Sequence, residues 1–363
     1  AYYLLAFEPQ ESYRDGRFRK LEVRVKDHPE YKVRSSKGYF APDDKAEAKA
    51  AEKEQKENAQ LAAERVKNPE KAAKKETALR FTRAAEALGS LFPLRGIPVQ
   101  MAASFVDTGK GQGLALIVGH LDVTGVKFEQ SKGMHNATIE VIGSIFDENG
   151  KAVDGFSQRL RMELKPATYE KVLKAGLVFS RRVALKPGLY QVRVATLREG
   201  SKQTGSAFDW VEVSDLSKKQ LVLSSIFLTT EQETNYLTAQ MQKTTNSEES
   251  QEAAPIPSQV TRRFKAGSSF DFSIFAYNPK LDSKGAIDLV VQSQVFSGSK
   301  VIFASPVSKM EPTAESKSAN YVPYAARLIL DKFEPGTYEL RLLVIDRVAK
   351  TSTKRTLHFV VEP

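Results

Sequence analysis

Cysteine is absent from the 363 residues, which excludes disulfide staples, thiolate metal sites and cysteine nucleophiles. No apolar run approaches the roughly 18 residues that a membrane-spanning helix needs. Histidine is scarce: His28, His120, His135 and His358 are scattered, and none falls in HExxH or another paired-ligand spacing. His120 and Asp122, in GHLDV, share one face of a predicted strand, where a locally satisfied surface pair is expected rather than a metal site. The nucleophile elbow GxSxG is missing, and Ser144 in VIGSIF sits mid-strand. TGKGQG at 108–113 has the glycines of a phosphate loop without its Lys-Ser or Lys-Thr, so it reads as a hairpin turn. Tryptophan occurs once, and Trp210, beside Phe208 and Val211, is expected in a core.

Charge is plentiful but unfocused. Lysine and arginine number 54 against 44 acidic residues, a net charge of +10. The basic residues are spread over different modules, at 14–20, Arg181-Arg182, Arg262-Arg263 and a Lys-rich segment, so a nucleic-acid partner is disfavoured while a polysaccharide stays open. Asp147, Glu148 and Asp154 in DENGKAVDG occupy turn positions, without the alternating acids of a calcium loop. A glycosidase carboxylate pair is defined by distance in space, so sequence spacing neither nominates nor excludes one. The reading therefore assigns no catalytic residue, no metal ligand and no cofactor.

The informative feature is a repeat. LKPGLYQVRV at 185–194 and FEPGTYELRL at 333–342 are two versions of one segment: a Pro-Gly turn, a tyrosine, and a strand with alternate apolar positions. Val192 and Val194 match Leu340 and Leu342, while Gln191 and Arg193 match Glu339 and Arg341 on the opposite face. Upstream, Ile139, Val141, Ile145 and Phe146 align with Leu289, Val291, Val295 and Phe296, with a polar glycine-containing turn after each. Two motifs held in register imply duplicated domains that each bury a core. Tyr190 and Tyr338 are candidate tyrosine corners, ring inward and hydroxyl bonded to nearby backbone, the device of Greek-key sandwiches. The expected fold is mainly β, with two tandem immunoglobulin- or fibronectin-like sandwiches.

Five segments follow from composition. Residues 1–43 read as short strands at Tyr2 to Phe7, Phe18 to Lys26 and Tyr31 to Ser35. Residues 44–92 form an Ala/Glu/Lys-rich helical linker, with a helix starting at Asn68-Pro69, a docking face of Leu79, Phe81, Ala84, Ala85 and Leu88, and an end at Gly89. Residues 93–231 form the first sandwich, ending on a strand from Gln220 to Phe227. A polar linker at 232–257 leads to the second sandwich at 258–363. Residue 1 falls inside an apolar strand without methionine or a signal profile, the mark of a truncated or processed chain.

YYLLAFEP, RDGRFRKLEVRVK and YKVRSSKGYFAP resemble the closing strands of the von Willebrand factor A related domain found in Acidobacteria. FSQRLRMEL, LKPGLYQVRVA, WVEVSDLSKKQLVLSSIFL, YNPKLD, FEPGTYELRL and VIDRVAK are similar to the C-terminal half of the same proteins. The resemblance implies that 1–43 are the tail of an A-type domain, that the location is extracytoplasmic, and that β modules follow a metal-ion-dependent adhesion domain. The DxSxS motif of that metal site does not occur here, so no ligand is carried over. A non-enzymatic interaction or scaffold protein is expected, with a protein partner or self-association through sandwich edges. A carbohydrate-binding accessory module using Tyr321, Tyr324 and Phe333 is the alternative, and a hydrolase with an unrecognised carboxylate pair is the third reading.

Overall fold

A computed structural model describes residues 17–20, 38–40, 49, 52, 56, 60, 63–64, 67–90, 92–107, 113–233, 257–313 and 321–363. The strands expected at Tyr2 to Phe7 and Tyr31 to Ser35, and most of the TGKGQG turn, lie outside these residues. The chain divides into two units, Ala1–Leu79 and Arg80–Pro363.

In the first unit, β1 (Phe18–Lys20) pairs antiparallel with β2 (Gly38–Phe40). Residues 49, 52, 56, 60, 63, 64 and 67 are helical. Helix α1 (Pro69–Gly89) starts where the Asn-Pro pair predicts: the Asn68 Oδ1 accepts from the Lys71 N–H at 3.1 Å.

The second unit holds two sandwiches. The first is built from β3 (Val99–Val106), β4 (Leu114–Leu121), β5 (Glu129–Ser131), β6 (Met134–Phe146), β7 (Ala152–Leu164), helix α2 (Pro166–Ala175), β8 (Leu177–Ala184), β9 (Gly188–Arg198) and β10 (Thr204–Val213). β3-β4-β8 form one sheet and β7-β6-β9-β10 the other, with β5 along the end of β6. Alternation drives the packing, since Ile139, Val141, Ile145, Val192 and Val194 point inward onto Phe105, Ile117 and Leu121 of the facing sheet. Gly143 makes room for the Phe156 ring, because a Cβ there would lie 2.1 Å from it.

The second sandwich uses β11 (Val222–Leu223), β12 (Phe227–Thr229), helix α3 (Ser258–Thr261), β13 (Arg263–Lys265), β14 (Ser269–Tyr277), β15 (Leu289–Ser297), β16 (Lys300–Ala304), β17 (Ser308–Met310), β18 (Tyr321–Ile329), β19 (Gly336–Asp346) and β20 (Thr351–Glu362). β14 is flanked by β18 on one side and by β11 and β12 on the other. The facing sheet runs β13-β20-β19-β15-β16, with β17 also on β15. Strand order is thus the same in both modules: first, second and fifth strands face third, fourth, sixth and seventh, a fibronectin type III-like arrangement. The protein is mainly β, with two sandwiches in tandem.

The duplication reaches individual registers. Ile145 and Phe146 oppose Val192 and Gln191, and Val295 and Phe296 oppose Leu340 and Glu339. The third–fourth strand hairpin carries its bulge at Ile145/Phe146 in one module and at Val295/Phe296 in the other.

Two boundaries differ from the sequence reading. The strand expected at Gln220 to Phe227, assigned to the first sandwich, pairs as β11 and β12 with β14 of the second. The polar stretch at 232–257 does not join two folded modules but interrupts the second near its first strand. Glu233 and Ser258, at its two ends, meet: the Ser258 N–H and hydroxyl both donate to the Glu233 carboxylate, as do the Thr230 N–H and hydroxyl. A drop in hydrophobicity marks a loop, and only tertiary pairing tells whether that loop lies between domains or within one.

Candidate functional site

Tyr190 and Tyr338 open β9 and β19 just after their Pro-Gly turns. Each ring is buried, and each hydroxyl donates to the carbonyl four residues upstream, Lys186 at 2.9 Å and Glu334 at 2.7 Å. Burial, with the Asp147 charge nearby, pushes the Tyr190 phenol above its ordinary range. On the outer face three residues later, Arg193 lies over Phe146 and Phe208 and donates to Gln191 at 2.8 Å. Arg341 repeats this in the second module, 4.0 Å above the Phe296 ring and hydrogen bonded to Glu339.

The two outer faces then diverge. In the first module, Ala84, Ala87 and Leu88 of α1 pack on Ile142, Ala195 and Leu197. Arg193 donates to the Leu88 carbonyl at 2.6 Å, capping a helix whose last turn carries no basic residue. Phe81, expected on the docked face, is 61% exposed under the Arg80 guanidinium. Trp210 also differs from expectation. Ala207, Val211 and Val213 take the inward positions of β10, leaving Phe208 and Trp210 half-buried on the outer face.

The junction between the sandwiches was not visible in any motif. It is organised along the edge of β3, where Phe105 and Asp107 bond across to the second sandwich while Ala103 bonds to β10 of its own. The Ala103 N–H donates to the Asp209 carboxylate at 2.9 Å. Phe105 exchanges two bonds with Ser225, its N–H reaching the Ser225 hydroxyl and its carbonyl accepting the Ser225 N–H. Tyr277, from the end of β14, accepts from the Asp107 N–H at 2.8 Å and donates to the Asp107 carbonyl at 3.0 Å. Its ring packs near Phe105 and Tyr321, and burial holds the phenol neutral far above the usual range. Burial likewise raises the Asp209 carboxyl, against the two backbone N–H groups that it accepts from. Gln259 bridges from α3 to the Ser104 hydroxyl and the Ile226 carbonyl. Arg355 of β20 reaches the Leu223 carbonyl and the Ser214 hydroxyl, and Asn278 reaches the Leu216 carbonyl.

The residues considered for chemistry take structural parts. His120 Nε2 lies 2.8 Å from the Ala175 carbonyl, and Asp122 accepts from the Thr124 N–H and hydroxyl, so the pair does not converge on one point. Both line a hollow of about 320 Å³ with Gln100, Lys174 and Thr261. Asp147 caps its own turn through the N–H groups of Asn149 and Lys151, and Asp154 accepts from the Gly155 N–H. No group of three or more candidate ligands occurs among the described residues. Buried Glu140 is held by the Ser157 hydroxyl and faces Arg80. The three aromatics of the carbohydrate reading do not form an exposed strip. Phe333 is buried against Tyr338, Tyr324 packs on the second core, and Tyr321 sits edge-on to Phe275 at the junction. Core demand for rings beside the corner tyrosine and the junction explains all three.

No family model and no curated protein matches the chain. Among solved structures, a Bacteroides uniformis beta-glucuronidase overlaps 38% of this chain and 14% of its own, at 12% identity and a TM-score of 0.22. Escherichia coli alpha-2-macroglobulin activated by porcine elastase overlaps 74% of this chain and 22% of its own, at 10% identity and 0.21. The fibronectin(III)-like modules of Clostridium thermocellum CbhA overlap 69% and 86%, at 12% identity and 0.17. The chain spans a small part of the glucuronidase, and scores this low carry no weight for function. The fold assignment stands on strand pairing. No helix of the described residues is long and apolar enough to cross a membrane.

Proposed function

We propose that this chain is a non-enzymatic interaction or scaffold protein whose two sandwiches act as one stiff body that presents surfaces to partners. The observation that carries this reading is the junction. Tyr277 of one module satisfies both backbone groups of Asp107 in the other, inside a buried aromatic cluster. A flexible tether would leave the modules free to reorient, whereas buried, hydrogen-bonded polar contacts fix one orientation. The resemblance of residues 1–43 and of the β modules to A-domain-related proteins supports an extracytoplasmic location and a place beside an adhesion-type domain.

The test pairs a catalytic screen with a shape measurement. Chromogenic glycosides, esters and peptides should show no turnover above buffer, and small-angle scattering of the 80–363 unit should fit a single rigid envelope. Turnover of any substrate class that is lost on mutation of a residue in this chain would overturn the non-enzymatic reading. A scattering curve that demands two independently moving bodies would overturn the scaffold.

A further inference from the structure

We infer that β16 is the self-association edge of this protein, adding antiparallel to β16 of a second copy. This inference names a partner for the scaffold proposed above and rests on that reading.

Edge strands expose unpaired backbone groups, and proteins ordinarily guard them with charge, proline or covering side chains. Several other edges among the described residues are guarded. β3 is sealed at Ala103, Phe105 and Asp107 by Asp209, Ser225 and Tyr277. β7 carries Asp154, Arg159 and Arg161, β8 carries Arg181 and Arg182, and β18 carries Pro323 and an Arg327–Asp271 ion pair. β20 pairs with β13 over Val360 to Glu362 and carries Lys354 and Arg355 along the rest of its length. β16 stands apart. Among the described residues it pairs with β15 alone, all five of its residues are exposed, and after Lys300 it has no charge. Val301, Ile302 and Phe303 are 49%, 40% and 39% exposed, and Val307 just beyond is 55% exposed.

The internal duplicate shows that the fold does not require this. Phe303 opposes Val295 as Asp154 opposes Ile145, so an aspartate occupies the equivalent edge position in the first module. The bulge is common to both hairpins and does not distinguish them.

The open backbone calls for a strand, and an identical strand fits. Antiparallel pairing about Ile302 sets Val301 against Phe303 of the other copy and Lys300 against Ala304. The two lysines then lie about 13 Å apart along the strands, at ~3.3 Å per residue and beyond the ~8 Å screening length of physiological salt. Charge therefore does not oppose the pairing, and the apolar side chains on both faces find apolar neighbours. The strip covers on the order of a few hundred Å² per copy, below the ~800 Å² per partner of a standard interface, so the dimer is weak and concentration-dependent.

Sedimentation equilibrium of the full chain tests this from about 10 µM to about 1 mM, a range chosen for a small interface. The weight-average mass should rise toward twice the monomer. Phe303→Asp, which installs the residue that the first module tolerates, should weaken association at least tenfold without changing circular dichroism or the thermal midpoint. Asp154→Asn, on the other module's edge, should leave association unchanged. A monomer throughout the range would overturn the edge pairing, as would a dimer indifferent to Phe303→Asp. If the Phe303→Asp protein failed to fold, Ile302→Lys replaces it with the same two outcomes. Neither negative result touches the scaffold reading, which stands or falls on turnover and rigidity.

Discussion

Removing one hydroxyl, in Tyr277→Phe, should uncouple the two sandwiches. The phenylalanine keeps the ring that packs 6.1 Å from Phe105, so little apolar burial is lost. What goes is the single atom that satisfies both the N–H and the carbonyl of Asp107, at 2.8 and 3.0 Å. Each buried backbone group left without a partner costs about 1–3 kcal/mol, so the pair should cost about 2–6 kcal/mol. Urea denaturation reports it with two probes. Trp210 belongs to the first module and Tyr277 to the second, so Trp210 fluorescence and far-ultraviolet circular dichroism should coincide in the parent protein and separate in the variant. The alkaline limb adds a second signature. Burial raises the Tyr277 phenol in the folded state above the unfolded value near 10. Its contribution is therefore complete below about pH 10 and is lost above it by about 1.4 kcal/mol per pH unit. The variant lacks that component, so the stability gap between the two proteins should narrow above pH 10. A loss below about 0.5 kcal/mol with coincident transitions would refute the account of the junction, because losing two buried hydrogen bonds across it cannot cost so little.

Tyr190→Phe and Tyr338→Phe should each lose about 1 kcal/mol in denaturant titration, and the double variant should be additive within about 0.5 kcal/mol, since the two corners share no partner. Arg193→Lys keeps the charge but loses the planar fork, so amide exchange in the last turn of α1 should accelerate while Arg341→Lys leaves it unchanged. Glu233→Gln replaces an acceptor-only group that takes four donors, and should cost about 2 kcal/mol or more at neutral pH. A Glu233→Gln protein as stable as its parent would mean that the two ends of the 234–257 segment are held by something else.

Much of the fold was written in local pattern. Alternation in LKPGLYQVRV and FEPGTYELRL marked the buried faces of β9 and β19, and Pro-Gly before Tyr marked the turn that aims each hydroxyl. Asn68-Pro69 marked a helix start, because an Asx cap and a proline with no N–H to satisfy are both local requirements. The junction was not legible, because its logic is non-local. Tyr277 and Asp107 stand 170 positions apart, and nothing in FAYNPK distinguishes a tyrosine that bonds across a domain boundary from one that packs in its own sheet. The assignment of β11 and β12 failed for a related reason. A short strand shows which of its faces is apolar but not which sheet accepts it, and here the segment leaving the first module supplies the edge of the second. Trp210 was misplaced because a neighbour pattern of Phe208 and Val211 spans both faces of a strand, and only the phase set by Val211 and Val213 decides the inward side.

Duplication makes the surfaces comparable in a way that a single domain would not allow. Core and turn positions agree between the copies: the tyrosine corner, the bulge, and the arginine stacked on the phenylalanine of the third strand. These are the places where the sandwich itself sets the residue. The copies part company on the outside. Ala195 and Leu197 on β9 lie under α1, whereas their counterparts Leu343 and Ile345 on β19 face outward, with Ile345 37% exposed. Asp154 guards one hairpin edge, and Phe303 opens the other. The shared strand order and tyrosine corner do not by themselves require an apolar edge in one module and a charged edge in the other. The pairing of β16 proposed above with a second copy would account for the difference, and the Phe303→Asp comparison tests it.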